Sequence, residues 1–364
     1  MILVVGATGL LGTRVCERLR AEGQPVRALV RRTSNPDKVN ALRSLGCELA
    51  IGDLKVPPQI QAACQGISAL ISTPSSTLSR QSGDSIESVD LQGQLTLVDA
   101  ARSAGVGRFI YVSLPDNPTV QYPLTQAKRA VERAIADLDF TSIRASYFME
   151  VWLSPMLGFD YIHGKVRIYG GGSKPISWVS YRDVAEFCVA PVLRSVGRRS
   201  VLAVGGPEAL TPVEVVRIFE EESGRRFEVE SIPETKLLEQ LDSATDSLEK
   251  SFAGLMLQYA HGDAIDMPGL LESIPVPLTS VREYARTVLG PHQGASADAA
   301  SHTEPGRDLV VPKLQAAGHK VFTPVLTGLG KDSPRLSPAV DLDRHIDDVA
   351  DIGPVKTFVS PGAK

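Results

Sequence analysis

Residues 2–12 read Ile2-Leu3-Val4-Val5-Gly6-Ala7-Thr8-Gly9-Leu10-Leu11-Gly12: an apolar run, three glycines, and the opening of a helical pattern in which Leu11, Val15 and Leu19 share one face. A short, wholly apolar run is what a parallel strand buried on both faces requires. Each glycine has a physical reason at such a strand-to-helix turn. Gly6 permits a sharp turn off the strand, Gly9 lets the main chain approach a ligand with no Cβ in the way, and Gly12 lets the helix pack tightly on the sheet. The helix N-terminus then presents unpaired N–H groups and the positive end of its dipole, which together suit a phosphate. A tight turn that binds nothing would use the same glycines, so the context decides.

That context is an alternation of strand and helix patterns. Strands are expected at 26–30, 47–51, 69–72, 108–112 and from Thr141 to Arg144, and helices at 10–21, 37–45, 58–64, 84–104 and 125–137. The order predicts an α/β fold with a Rossmann-type, doubly wound parallel sheet over residues 1–150. From Met149 the pattern loosens. Residues 161–175 are glycine-rich and suggest a hairpin or loop, and helices are expected at 181–192, 211–223, 236–257 and 278–289. Residues 151–290 have the size of a smaller α+β substrate or partner lobe.

A glycine loop in this setting points to a dinucleotide. An NAD site usually carries an acid at the end of the second strand. Here that strand runs Val26 to Val30 into Arg31-Arg32-Thr33-Ser34. Arg31 and Arg32 can pair with a 2′-phosphate, or form a solvated strand end, and the planar guanidinium fork suits phosphate. NADP(H) is therefore expected, with NAD(H) the alternative. The cofactor set comprises Gly6, Ala7, Thr8, Gly9, Leu10, Leu11, Gly12, Arg31, Arg32, Asp53, Leu54, Ser72, Thr73 and Lys128. Asp53 either accepts from the adenine amino group or caps a helix, and Ser72-Thr73 should lie along the dinucleotide.

Taken together, these residues resemble the NmrA-like branch of the atypical short-chain dehydrogenase/reductases from Ile2 to about Gly290. The motifs are Gly6-Ala7-Thr8-Gly9 with Gly12, Val30-Arg31, Gly52-Asp53-Leu54, Ala127-Lys128 with Glu132, Tyr147-Phe148-Met149-Glu150, Arg182-Asp183-Val184-Ala185, Gly205-Gly206-Pro207-Glu208 and Gly262-Asp263. The resemblance implies either an NAD(P)H-dependent reductase or a redox sensor that binds the cofactor and a protein partner without turnover. It also implies a monomer or loose homodimer. Ordinary short-chain dehydrogenases place Tyr and Lys four apart on one helix face, so that the ammonium lowers the phenol's pKa. Lys128 fits the lysine position, but Leu124 stands where the tyrosine would, and Tyr122 is six residues away and off the shared face. The catalytic candidates are Lys128, as proton relay or ribose anchor, and Ser113, which either bonds a carbonyl or caps its strand. A quinone or conjugated carbonyl suits a site without a strong acid. Tyr147, Phe148, Trp152 and Phe159 either line an apolar pocket or pack a core.

Residues 291–306 read as a linker. Residues 307–364 carry a stretch, about 307–352, resembling an incomplete α/β-hydrolase of the esterase or hydroxynitrile-lyase type. No Gly-x-Ser-x-Gly elbow follows Gly290, so no hydrolase activity is expected, and a poorly packed extension is. A net charge of -4 over 364 residues argues against direct nucleic-acid contact. Cys16, Cys47, Cys64 and Cys188 are scattered without a CxxC pair, so no metal site and no disulfide framework is expected. No apolar run is long enough to span a bilayer and none resembles a signal peptide, so a cytoplasmic location and a small-molecule substrate are expected.

Overall fold

Alternate residues of the first strand enter different cores. In the computed structural model Ile2 and Val4 join the apolar cluster on one side of a sheet, and Leu3 and Val5 the cluster on the other. Both faces are therefore covered, which is why the sequence runs apolar without alternation. The structure describes residues 1–290 apart from Arg80, Pro118 and Ser195. The linker and hydrolase-like expectations, 291–306 and 307–364, lie outside the described residues.

The elements run β1 (Ile2–Val5), α1 (Leu10–Ala21), β2 (Val26–Val30), α2 (Pro36–Ser44), β3 (Glu48–Ile51), α3 (Pro57–Ala63), β4 (Ala69–Ser72), a π-helical turn (Ile86–Gly93), α4 (Gln94–Ser103), β5 (Arg108–Ser113), α5 (Pro123–Ala134) and β6 (Phe140–Ala145). The second half adds α6 (Met149–Trp152), β7 (Phe159–Asp160), β8 (Lys165–Tyr169), α7 (Tyr181–Leu193), β9 (Ser200–Val204), α8 (Pro212–Ser223), β10 (Glu228–Ile232), α9 (Glu234–Ser243), α10 (Ser247–His261), α11 (Pro268–Ser273) and α12 (Val281–Leu289). A seven-stranded parallel sheet has the order β3-β2-β1-β4-β5-β6-β9. The order reverses between β1 and β4, where a doubly wound sheet opens a crevice at the strands' C-terminal ends. The doubly wound expectation holds.

Three local expectations are corrected. The stretch 84–104, read as one helix, begins as a π-helical turn capped by Ser85, whose hydroxyl accepts from Ser88 N at 3.0 Å, before relaxing into α4. The stretch 236–257 is two helices, because the Asp246 carboxylate caps a new one by accepting from Leu248 N and Glu249 N at 2.7 and 2.9 Å. The strand Ser200–Val204, a half-exposed edge strand carrying the short apolar run Val201-Leu202-Ala203-Val204, was not foreseen. It pairs with β6, so the segment read as a smaller lobe also completes the first sheet. The remainder of that segment forms the sheet β10-β8-β7 and a third apolar cluster built around Trp178, Phe219, Tyr259 and Tyr284. Among the described residues no helix is long and apolar enough to cross a membrane.

Glu132 ties α5 to β6. It is 9% exposed, and its carboxylate accepts from Ser142 Oγ at 2.7 Å, from Arg144 Nη2 at 2.7 Å and from the Arg129 guanidinium. Burial alone would raise its pKa, but the Arg144, Ser142 and Arg129 hydrogen bonds outweigh it and hold the carboxyl at about 2. A depressed carboxyl stabilises the fold above its unfolded pKa, and that stabilisation is lost as pH falls toward 2. Glu132→Gln should therefore lower unfolding free energy at pH 7 by about 3 kcal/mol. The deficit should shrink between about pH 4.5 and 2 as the wild-type carboxyl takes up its proton, a trend that urea titrations across that range would measure.

Candidate functional site: a crevice over the C-terminal strand ends

The β1–α1 turn leaves no room for a side chain at Gly6 or Gly12. Gly6 has φ +81°, and a Cβ on it would lie 2.6 Å from Thr73 Oγ1. A Cβ on Gly12 would lie 2.1 Å from the Gly6 carbonyl oxygen. Gly12 is thus demanded by the loop folding back on itself rather than by helix–sheet packing. Gly9 N donates to Gly6 O at 2.9 Å, and Thr13 Oγ1 donates to Ala7 O at 3.0 Å. No side chain caps α1 and no acid sits in its first turn, so its N-terminal N–H groups and dipole face an open cavity.

That cavity has a volume of about 710 Å³. Gly6, Thr8, Gly9, Leu10, Leu11 and Gly12 form one end, Arg31, Asp53, Leu54 and Thr73 flank it, and Ser113 and Lys128 lie farther along. Three foreseen residues do not line it. Ala7 is wholly buried, Ser72 Oγ donates to Gln94 Oε1 at 2.8 Å inside the core, and Arg32 is exposed. Leu54 packs against Gly93, where a Cβ would stand 2.9 Å from the leucine's own.

The flank beyond β2 holds charges that sequence reasoning missed. Arg31 Nη1 donates to Asp84 Oδ2 at 2.6 Å, and Lys55 Nζ donates to Asp84 Oδ1 at 2.6 Å. Burial would raise the Asp84 pKa, but the Lys55, Ser79 and Arg31 hydrogen bonds win and hold the carboxyl at about 2. The carboxylate anchors two cations beside the glycine loop, and Lys38 at the start of α2 lines the same flank. The Asp53 carboxylate accepts from Lys55 N at 2.9 Å, bracing the turn ahead of α3 while lining the cavity, so it does not cap the helix itself, whose N-cap is Val56.

Lys128 is 3% exposed on α5. Its ammonium lies 3.4 Å from Asp90 Oδ1, 3.4 Å from Pro74 O, 3.5 Å from Val112 O and 5.2 Å from the centre of the Tyr111 ring. Asp90 comes from the π-helical turn and is wholly buried, with its other oxygen held by Ser76 N and Oγ at 2.9 and 2.6 Å. A buried ammonium requires such a counter-charge. No motif flagged Asp90, whose partner is 38 positions away in sequence. Ser113 lines the cavity wall, and its Oγ is buried without a hydrogen-bond partner. Leu124 lines the cavity where a catalytic tyrosine would stand. Tyr122 precedes α5, and its hydroxyl is committed to Gln258 Oε1 at 2.7 Å.

Beyond Ser113 the walls turn aromatic. Tyr147, Phe148, Trp152, Tyr181 and Phe252 line the cavity with Val151, Met156 and Leu255. Phe148 stacks on Tyr181 at 4.1 Å, and Trp152 on Tyr259 at 5.5 Å. Of the four aromatic residues expected either to line a pocket or to pack a core, Phe159 packs in the core against Phe219 at 4.7 Å. Ser146, at the end of β6, adds a polar group to this end.

The glycine loop permits a direct test. Gly12→Ala must displace the Gly6 carbonyl, and should cost about 1–3 kcal/mol in urea unfolding. It should also abolish dinucleotide binding measured by fluorescence titration.

The chain matches the model of the NmrA-like family over residues 1–276. It is 28% identical over 235 residues to a photosystem II assembly factor, Ycf39, of Trieres chinensis, covering 64% of this chain and 72% of that one. It is 27% identical over 299 residues to an NAD(P)H azoreductase of Xenophilus azovorans, covering 79% of this chain and 97% of that one. Among solved structures, an NADPH-dependent quinone oxidoreductase from Escherichia coli complexed with NADPH superposes with a TM-score of 0.66 at 22% identity, covering 80% of this chain and 100% of that one. With its glycine loop, its parallel sheet and its crevice at the strand ends, the chain belongs to the NmrA-like family.

Proposed function

We propose that the chain binds NADP(H) in this cavity and reduces a quinone or conjugated carbonyl compound. One observation carries the reading: a single cavity joins a glycine turn at a helix N-terminus to an aromatic-walled chamber, with a buried lysine and an unpartnered serine hydroxyl between them. The N-terminus of α1 and Gly9 would hold the pyrophosphate. Arg31, supported with Lys55 by Asp84, would hold the 2′-phosphate. Lys128 would hold the nicotinamide ribose. The nicotinamide, when bound, supplies a hydride. Ser113 Oγ is free to donate to a substrate carbonyl, and the aromatic chamber excludes water from a flat substrate.

The comparisons support a reductase through the azoreductase and the quinone oxidoreductase. A second reading, cofactor binding without turnover, draws on Leu124, which has no proton to give where short-chain dehydrogenases keep a tyrosine, and on the assembly-factor relatives.

Titration with NADPH and NADH, followed by stopped-flow oxidation against a quinone panel, separates the two. Multiple turnover that falls about 100-fold or more in Lys128→Ala supports the reductase. Tight NADPH binding with no turnover on any acceptor establishes the second reading. Arg31→Ala should weaken NADPH about 10-fold while leaving NADH nearly unchanged. Equal losses for both would remove the 2′-phosphate role.

A further inference from the structure

Ser146 follows the last residue of β6, is 3% exposed, and lines the cavity at the junction of its polar and aromatic parts. Its Oγ donates to Asp263 Oδ2 at 2.5 Å. Asp263 stands just past α10, after Gly262, whose φ of +84° turns the chain inward. Backbone bonds fix both partners. Ser146 N donates to Val204 O at 2.9 Å, Asp263 N donates to Pro175 O at 2.9 Å, and Asp263 O accepts from Ser177 N at 2.9 Å. The pair therefore joins the end of the main sheet to the second half of the chain with little side-chain freedom to lose.

The groups facing Asp263 do not neutralise it. Among the described residues no salt bridge includes it. The titratable neighbours are the phenols of Tyr122, ahead of α5, and Tyr147, after β6. Both phenols are raised, chiefly by burial, and remain protonated at neutral pH. Their hydrogens are already given away, Tyr122's to Gln258 Oε1 at 2.7 Å and Tyr147's to Leu255 O at 3.2 Å. Ser146 differs, because its partner is an acid: once Asp263 is protonated the bond can run the other way, with Asp263 donating to Ser146 Oγ and the serine hydrogen released for a substrate. Burial pushes the Asp263 carboxyl up to about 6, against the opposing effect of the serine bond.

We propose that Ser146 and Asp263 form a proton relay, with Ser146 the catalytic donor to the substrate oxygen and Asp263 the positioning acid behind it. The relay rests on the reductase reading above and supplies the acid that Leu124 cannot. As a C–H bond forms with the hydride from NADPH, the carbonyl π electrons move to oxygen. That oxygen takes the hydrogen of Ser146 Oγ, and Ser146 takes the Asp263 proton. The partly buried carboxylate then takes up a proton from solvent. The substrate gains one hydride and one proton, and the cofactor leaves oxidised. The relay works while Asp263 is protonated, so turnover falls as pH rises through about 6.

The test compares wild type, Ser146→Ala, Ser146→Thr and Asp263→Asn over pH 5–9 with NADPH and the quinone panel. A carbon-13 NMR titration of the Asp263 carboxyl in the cofactor-free protein runs alongside. The alanine and asparagine variants should lose about 100-fold in kcat at pH 6 and lose the decline above pH 6, while keeping NADPH affinity. The threonine variant, which retains a hydroxyl, should recover most of the rate. The Asp263 resonance should titrate near pH 6 in the wild type. Unchanged kcat and pH profile in both disabled variants, or a carboxyl titrating at its ordinary value, overturns the relay and leaves the reductase standing. Absence of wild-type turnover on every acceptor overturns the reductase reading and the relay with it.

Discussion

Where the chain passes from β1 into α1 it folds back so tightly that neither Gly6 nor Gly12 has room for a Cβ, and the geometry of the site follows from that constraint. The Gly6 carbonyl sits where a side chain on Gly12 would be, and Thr73 sits where one on Gly6 would be. Close packing brings the end of β4 against the turn, with Thr73 Oγ1 donating to Val5 O at 3.0 Å. The N-terminus of α1 is thereby aimed along the sheet's C-terminal edge, at the point where strand order reverses. A bulkier loop would close this opening, and with it the floor of the cavity.

Above that floor, buried charges hold the loops that shape the cavity. Asp84 gathers Arg31 and Lys55, drawing the segment after β4 across to the ends of β2 and β3. Asp90 balances Lys128, and Glu132 secures α5 to β6 through Arg129 and Arg144. Arg129 also donates to the carbonyls of Leu114 and Pro115, pinning the loop that follows Ser113. Each of these carboxylates has to be paired where it lies, since an unpaired charge at such depth costs several kcal/mol. They therefore fix loop positions at the site as well as contributing stability.

What the chain exposes chemically is asymmetric. The glycine end is built from main chain and tolerates little variation. The aromatic end is built from side chains of α6, α7 and α10 and the segments beside them, so its shape can change there without disturbing the glycine turn. The two ends meet at Ser113, Lys128 and Ser146, borne by β5, α5 and the end of β6.

The glycine loop, the first six strands and the residues Arg31, Asp53, Thr73, Ser113 and Lys128 were legible in the sequence, because local constraints mark them: an apolar run, a required positive φ, a residue type at a strand end. Asp84, Asp90 and Lys55 were not, because a carboxylate acquires its partner only when separate loops converge, and nothing local distinguishes it from a solvated acid. Ser72 and Arg32 show the reverse, since their positions suit the motif but the fold turns one into the core and the other to solvent. The edge strand β9 and the break before Asp246 differ again: local signals mark both, the run Val201-Leu202-Ala203-Val204 and Asp246 three residues ahead of Glu249, and the sequence reading passed over them. Sequence alone determined the doubly wound topology and the tight glycine turn, since both follow from short-range sterics and periodicity. Tertiary structure alone decided which buried charges pair and which hydroxyls face the cavity, because those depend on burial and on contacts between residues distant in the chain.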